Sequence, residues 1–443
     1  MTRPGILDPL KMARRNPAFR RLWLGMLISR TGDTFTTVAV SWLVLRLAGP
    51  AQLGIVLLCF GLPRLVTAPW AGRLLDRGRA RPLLVVDNAV RAALIGLVPA
   101  LSAAHSLKIW MLYPIAILCA ASSSFTEVAE SALVPRLVDD GDLEPANTLL
   151  ALNWEASYVV GPALAGLIVA SLGVGFALGI DAASFVVMAI IMLRLPELAP
   201  LETEVGRVDM ASAPPPRFRR LPALGVLLEY PAVLLLTAAS VLVLFLGGVT
   251  EVLLPVLSRQ ALHVSAAGYG FLVASTGVGG MLGTGAGGAF VQRFAPRMRL
   301  VLILSTGGLL LAPLVLAHTM ALAVAAVAAS AFCLSPYFAT ERSLMQRLTP
   351  AHLRGRVSGA RGALSSLGFP VGGLVGGFLL SHVGVRAVVL AIGGSYIVLG
   401  LWLMFAFLRG RRAFDVSVDV SVPKEHASPV AWEPNVLSAQ AEP

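Results

Sequence analysis

Residues 230–256 read YPAVLLLTAASVLVLFLGGVTEVLLPV and contain a single charged residue, Glu251. Because about 20 apolar residues cross the hydrocarbon core of a bilayer as a helix, this run predicts a transmembrane helix. Eleven further runs predict the same, at roughly 20–47, 52–75, 82–104, 108–131, 144–172, 175–195, 266–292, 298–318, 320–346, 355–381 and 385–408. The sequence therefore predicts an all-α polytopic membrane protein with twelve transmembrane helices.

The composition of the 443-residue chain leads to the same class. Hydrophobic residues make up 56% of the chain and charged residues 13%, whereas soluble proteins carry about 25% charged residues. The mean hydropathy is +0.79, which excludes a soluble enzyme, a secreted disulfide scaffold and a disordered chain. Three distant cysteines, six dispersed histidines and the lack of a Walker-type phosphate loop predict no metal, no cofactor and no direct use of ATP.

Positive charge is distributed unevenly between the loops. Lysine and arginine are concentrated in the two tails and in every second loop, and the intervening loops hold only Arg46, Lys108, Arg259 and Arg386. By the positive-inside rule, both termini are predicted to be cytoplasmic. This distribution also accounts for the net charge of +11 without a nucleic-acid partner.

The chain divides into two similar halves. The segment Glu130–Leu137 recurs as Glu341–Leu348 at a spacing of 211 residues, at equivalent places in each half. We predict an N-terminal six-helix bundle, a cytoplasmic linker, a C-terminal six-helix bundle and a disordered tail, at 1–195, 196–229, 230–408 and 409–443. Such repeats are typical of transporters that work by alternating access around a site near the bilayer midplane.

The loop after the second predicted span carries a motif. It reads GRLLDRGRAR over 72–81, with a glycine, an aspartate four residues later and then clustered basic residues. This pattern resembles the signature loop of the major facilitator superfamily. The resemblance implies two pseudo-repeated bundles and a gating latch that involves Gly72, Asp76, Arg77, Arg81, Glu127 and Glu130. In the alternative interpretation, these arginines only fix the topology.

Two more stretches resemble the efflux branch that contains macrolide and siderophore exporters. One is NPAFRRLW at 16–23, followed by Gly32 and Asp33 in the first span. The other is the fifth span, in which Gly161, Pro162 and Gly166 resemble the glycine–proline motif of antiporters. A generic packing kink at Pro162 is the alternative.

Ionisable residues inside predicted spans are candidates for function because they are costly in lipid. Four of them lie where a central cavity is expected, namely Asp33, Glu155, Arg30 and Arg64. Arg30 and Asp33 are three residues apart and are predicted to pair on one helix face. Either Asp33 or Glu155 is predicted to carry the proton or contact the substrate, and a structural ion pair is the alternative for each.

Other charges in the spans receive simpler interpretations. Asp87 and Arg91 are predicted to form a structural helix pair, and Asp181 to be structural. Glu251 is placed near the outer end of its span, so the second half is predicted to lack a comparable midplane acid.

The sequence therefore predicts a secondary transporter and not an enzyme. The preferred interpretation is a proton-coupled exporter of small amphipathic molecules in a bacterial inner membrane. It is predicted to work by alternating access and as a monomer. Its predicted partners are the substrate, protons and the lipid bilayer. The alternatives are an importer or facilitator of the same fold, or a membrane sensor that transports nothing.

Overall fold

In the computed structural model, residues 8–75, 80–195, 225, 230–350 and 353–409 are described. Every regular element in these ranges is helical. The α-helices are α1 Asp8–Arg15, α2 Pro17–Leu47, α3 Pro50–Leu75, α4 Ala80–Ala103, α5 Ile109–Leu137, α6 Leu143–Ser171, α7 Val174–Arg194, α8 Pro231–Val256, α9 Ala266–Leu282, α10 Gly288–Val291, α11 Pro296–Leu309, α12 Met320–Leu334, α13 Tyr337–Leu348, α14 Arg354–His382 and α15 Gly384–Arg409.

Within the described residues, ten helical segments are long and apolar enough to cross a membrane. The remaining two predicted spans are also helical rods. The first, α2, carries Arg30 and Asp33, which lower its hydropathy. The other contains α9 and α10, which are separated by a π-turn at Gly283–Gly287. The prediction of an all-α polytopic membrane protein is confirmed.

Short links join several successive helices. Three of them contain a glycine with positive φ, namely Gly49 (127°), Gly173 (89°) and Gly384 (81°). Glycine adopts this left-handed region without the steric penalty that other residues meet. These links reverse the chain between α2 and α3, α6 and α7, and α14 and α15.

The helix assembly has two ends. We call one end the basic face; it contains the ends of α3 and α5 and the start of α14. We call the other end the opposite face; it contains the three glycine links. Within the first half of the chain, α4 packs on α7 and α3 on α5, and within the second half, α8 packs on α14 and α11 on α15. The halves meet mainly where α3 packs on α14 and where α6 packs on α9. The division into two bundles stays a prediction, and its linker and tail lie outside the described residues, apart from Gly225 and Arg409.

The contact between the halves is made largely by glycines near the opposite face, and we call this contact the glycine seam. A Cβ built on Gly54 would lie 2.6 Å from the Gly373 carbonyl oxygen, and one on Gly377 would lie 2.5 Å from that of Pro50. On the other side of the seam, a Cβ on Gly166 would lie 2.6 Å from the Ala266 oxygen. Only glycine lets the backbones approach this closely.

The same helices diverge toward the basic face. A Cβ built on any of Gly355, Gly359 and Gly362, at the start of α14, would meet nothing within 4 Å. On α3, the exposed side chain of Arg64 lies two helical turns after Leu57, which packs against Gly373 of α14. A crevice between the halves therefore opens at the basic face and is closed at the opposite face.

Candidate functional site

An ion pair joins α2 and α4 in the first half of the chain. The Arg91 Nη2 donates to the Asp33 Oδ1 at 2.5 Å, with side-chain exposures of 9% for Arg91 and 47% for Asp33. The Arg91 guanidinium also lies over the Phe185 ring of α7, 3.9 Å from its centroid. A buried cation thus holds a half-exposed acid.

Two further carboxyl groups act on the same arginine. Asp87, one helical turn before Arg91, is buried and accepts hydrogen bonds from Ser122 and Thr126 of α5. Asp181 of α7 is also buried, and it accepts hydrogen bonds from Thr36 of α2 and, at 3.2 Å, from Ser184. Each of Asp33, Asp87 and Asp181 interacts electrostatically with Arg91. We call these four residues the Arg91 cluster.

The Arg91 cluster contains more acid than base. One guanidinium faces three carboxyl groups in a region where an uncompensated charge is costly. With all three carboxyl groups ionised, the four groups would carry a net charge of −2. Uptake of a proton by any of the three would reduce this charge.

The structure corrects one prediction here. Asp33 pairs with Arg91 and not with Arg30, whose guanidinium lies over the Trp154 ring at 4.3 Å. Asp87, Arg91 and Asp181 lie near Asp33, and the predicted structural roles of these three residues stay predictions. The sequence did carry a signal for this cluster, since all four charged residues of the Arg91 cluster lie within apolar spans.

Arg64 lies away from this cluster, in the open part of α3. Its Nη1 is 3.1 Å from the Glu127 Oε1, and both side chains are exposed. Glu127, a predicted member of the latch, thus pairs with Arg64, and Arg81, another predicted member, donates to the Leu193 carbonyl oxygen. Glu155 is half-buried and forms no ion pair with any residue that the structure describes.

The predicted latch lies partly outside the described residues. Asp76 and Arg77 lie outside the described residues, as does the side chain of Glu130. Gly72 lies in the last turn of α3. The latch stays a prediction.

The glycine–proline motif of α6 lies between α2 and α9. Gly161 packs against Thr34 of α2, and Gly166 packs against Ala266 and Gly270 of α9. Pro162 is buried between them. The motif therefore contributes to the glycine seam, and its antiporter role stays a prediction.

Aromatic side chains lie along the path from the Arg91 cluster to the seam. Trp154 and Tyr158 of α6 stack with centroids 6.4 Å apart. Trp42 of α2 stacks on Tyr269 of α9 at 6.2 Å, so this pair joins the two halves.

A sequence profile decides the family. The profile described as Major Facilitator Superfamily matches residues 22–368 and 248–439. The chain belongs to the Major Facilitator Superfamily. It is thus a secondary transporter, as predicted, and not an enzyme.

Relatives within the superfamily include exporters. The chain is 26% identical to the multidrug efflux pump Tap of Mycolicibacterium fortuitum over 392 residues, which cover 86% of this chain and 93% of the pump. It is also 26% identical to the enterobactin exporter EntS of Salmonella paratyphi A, over 93% of this chain and 97% of the exporter.

Solved structures share the superfamily fold. The nucleoside transporter NupG, as its D323A mutant, superposes with a TM-score of 0.72 at 12% identity, over 88% of this chain and 100% of that chain. An inward-facing bacterial homologue of the iron transporter ferroportin superposes with a TM-score of 0.64 at 18% identity, over 87% and 98%. At these identities the likeness concerns the fold alone.

Proposed function

We propose that this transporter is a proton-coupled exporter of small amphipathic molecules, and that the Arg91 cluster carries the coupling. The observation that supports this most is the ion pair between exposed Asp33 and buried Arg91. A half-exposed acid that shares Arg91 with two buried acids would leave that arginine to them whenever it gains a proton.

The proposed cycle begins with the crevice open at the basic face, which the positive-inside rule assigns to the cytoplasm. Asp33 is ionised and bound to Arg91, and the substrate enters from the cytoplasm. When the halves rock and the crevice opens outward, the higher external proton activity protonates Asp33. Arg91 then loses this partner and is held by Asp87 and Asp181, and the substrate leaves. Return to the first state releases the proton inside.

The two relatives named as an efflux pump and an exporter favour this direction of transport. The basic face is also the open one, so a cytoplasmic substrate has access to the Arg91 cluster. The bacterial relatives support a location in the plasma membrane of a bacterium.

Uptake into everted membrane vesicles tests the proposal. The vesicles come from cells that lack their own pumps, and a fluorescent amphipathic amine is the transported probe. We expect a pH gradient, acid inside, to drive uptake by the natural protein and an uncoupler to abolish it. Asp33→Asn should lose gradient-driven uptake and keep downhill exchange.

Glu155→Gln is the matched control, since Glu155 is also a half-buried acid in a span but lies in no described ion pair. Full gradient-driven uptake by a variant with both amides would overturn the proposal. Movement in the reverse direction would identify an importer. Binding of the probe without any flux would identify a sensor.

A further inference from the structure

Two cavities lie at the opposite face, one in each half of the chain. The second-half cavity has a volume of about 440 Å³ and is formed by the π-turn after α8, the link between α11 and α12, and the start of α15. The first-half cavity has a volume of about 330 Å³ and is formed by the end of α2, the link between α4 and α5, and the start of α7. Both volumes lie within the range of about 300–1,000 Å³ that is typical of small-molecule sites.

The polar side chains that line the two cavities suit an anion. They belong to Gln260, His318 and Arg386 in the second-half cavity and to Arg46, Ser102 and His105 in the first-half cavity. All six residues are exposed. Within the described part of the chain, no carboxyl group lines either cavity, and neither arginine forms an ion pair. Each cavity therefore offers a guanidinium group whose positive charge no described acid balances.

Acidic residues are missing from the sequence around these cavities. Six links between helices lie at the opposite face, at 48–49, 104–108, 172–173, 257–265, 310–319 and 383. None of them contains an aspartate or a glutamate, and the four residues on either side of each link contain none either. The basic residues of this face thus attract an anion that does not belong to these links.

The two cavities occupy equivalent places in the repeat. His105 and His318 are 213 residues apart, and the glycines that precede or begin α7 and α15, Gly173 and Gly384, are 211 apart. These spacings match the spacing of 211 between the similar segments of the two halves. The end of α2 supplies the arginine in the first half, whereas the start of α15 supplies it in the second half. A histidine and an arginine therefore share a cavity in both halves, although different helices supply the arginine.

We propose that each cavity binds the phosphate group of an anionic phospholipid. Guanidinium groups bind phosphate oxygens through charge-assisted hydrogen bonds, and a histidine ring N–H is a further donor. The first backbone N–H groups of α7 and α15 add to this positive potential. The cavities lie at the ends of transmembrane helices, where lipid headgroups are found, and basic pockets between such helices bind anionic headgroups.

The apolar part of the lining favours a lipid over free phosphate, which offers the same charge. Leu257 and Val385 line the second-half cavity, and Leu43 and Val174 line the first-half cavity. These side chains give the glycerol and the first methylene groups of a lipid an apolar surface, which inorganic phosphate would leave unused.

A lipid bound in this way would tie three parts of one half together. Neither cavity includes residues of both halves. The lipids would therefore stay bound while the halves rock against each other. This inference goes beyond the proposed transport cycle and does not depend on the Arg91 cluster or on the direction of transport.

Native mass spectrometry of the detergent-purified full-length protein tests the inference. The probes are dioleoylphosphatidylglycerol, which is anionic, and dioleoylglycerol, which has the same acyl chains and no phosphate. We expect two tightly bound molecules of the phospholipid and none of dioleoylglycerol at the same concentration. Arg386→Gln should weaken binding of one phospholipid by about fivefold or more, and adding Arg46→Gln should weaken binding of the second.

Lys108→Gln is the matched control. Lys108 is an exposed basic residue of the same face that lines neither cavity. This variant should bind both phospholipid molecules as the natural protein does. Equal binding by the natural protein and the double arginine variant would overturn the inference, and so would an equal loss in Lys108→Gln.

A second measurement uses the natural protein and does not depend on a variant. Phenylglyoxal modifies accessible arginines, and mass spectrometry reports modification at Arg46 and Arg386. Dioleoylphosphatidylglycerol should slow the modification of both residues severalfold, and dioleoylglycerol should not. Absence of protection by the phospholipid would overturn the inference.

Titration calorimetry with inorganic phosphate separates the two sources of the phosphate group. The protein is kept in detergent without phospholipid, and chloride at equal ionic strength is the control. We expect no binding of inorganic phosphate at concentrations at which the phospholipid saturates both cavities. Binding of inorganic phosphate as tight as that of the phospholipid, and lost in Arg386→Gln, would overturn the lipid and identify a site for a free anion.

Discussion

Both halves of the chain place an acid beside an arginine, but the two pairs differ in access and in balance. Asp33 is half-exposed and 2.5 Å from Arg91, whereas Glu341 of α13 is fully buried and its Oε2 lies 3.5 Å from the Nη1 of Arg361 of α14. In the first half, three carboxyl groups share one arginine. In the second half, a single acid is paired with Arg361, and Arg342 also acts on it. Surplus exposed acid suits proton exchange, whereas a buried acid that arginine compensates suits structural support.

Hydrogen bonding sharpens the contrast. The acids behind Asp33 accept hydrogen bonds from serine and threonine hydroxyls. Neither carboxylate oxygen of Glu341 has a hydrogen-bond partner, although Ser240 and Tyr337 lie beside it. The first-half site is therefore the better organised of the two for holding charge.

The largest expected effect comes from removing the shared cation of the first half. Arg91→Met leaves Asp33 and two buried acids without their positive charge, and should destabilise the protein by roughly 3–5 kcal/mol. Thermal unfolding of the detergent-purified protein measures this. Arg91→Lys keeps the positive charge and should lose less stability than Arg91→Met. If Arg91→Met unfolds at the same temperature as the natural protein, the three acids do not depend on Arg91, and the proposed contrast between the two halves is wrong.

Removing the acid of the second half should have a smaller effect that is purely structural. Glu341→Gln keeps the side-chain volume and leaves Arg361 without its counter-ion, at a cost of roughly 1–3 kcal/mol. Transport per folded molecule should keep its dependence on the pH gradient. Because a balanced buried pair contributes little net stability, the double variant Glu341→Leu with Arg361→Leu should recover most of the loss. A loss of coupling in Glu341→Gln would show that the halves do not differ in the proposed way.

A third prediction concerns the contact between the halves. Gly377→Ala places a methyl group against the Pro50 carbonyl, so the glycine seam should loosen and the opposite face should open more often. An impermeant maleimide should then label a cysteine introduced at Ala51 severalfold faster. Gly362→Ala, on the same helix but facing open space, is the matched control. Equal labelling of the two variants would contradict a seam that depends on backbone contact.

The smallest expected effect is that of the exposed pair between Arg64 and Glu127. Both side chains are about half exposed, and such pairs contribute about 0–1 kcal/mol. Arg64→Ala should therefore leave the unfolding temperature almost unchanged at moderate salt. A clear loss would show that this pair also belongs to the energetically important charges of the first half.

Much of the fold was predictable because a helix that crosses the hydrocarbon core needs a long run of apolar residues, which the sequence shows directly. The predicted run at 230–256 is α8, Pro231–Val256, and the run at 355–381 is α14, Arg354–His382. The π-turns that follow α8 and α9 were not predicted, since no periodic signal marks a single extra residue in a helical turn.

The partners of the charged residues were less predictable. Arg30 was assigned to Asp33 because residues three apart share a helix face, whereas the actual partner, Arg91, is 58 positions away. Sequence spacing fixes neighbours within one helix but not the rotation of that helix against others. The distance of Glu251 from the end of its helix was also underestimated, because the helix continues as a π-turn to Ala261, beyond the predicted end of the span.

The glycine links at Gly49, Gly173 and Gly384 restrict how this molecule can move. Each link is too short to let the two helices that it joins slide along each other, unless the end of one helix unwinds. The pairs α2 with α3, α6 with α7, and α14 with α15 must instead tilt as levers. We therefore expect each of these pairs to move by a change of angle between its helices and not by a change of helix register.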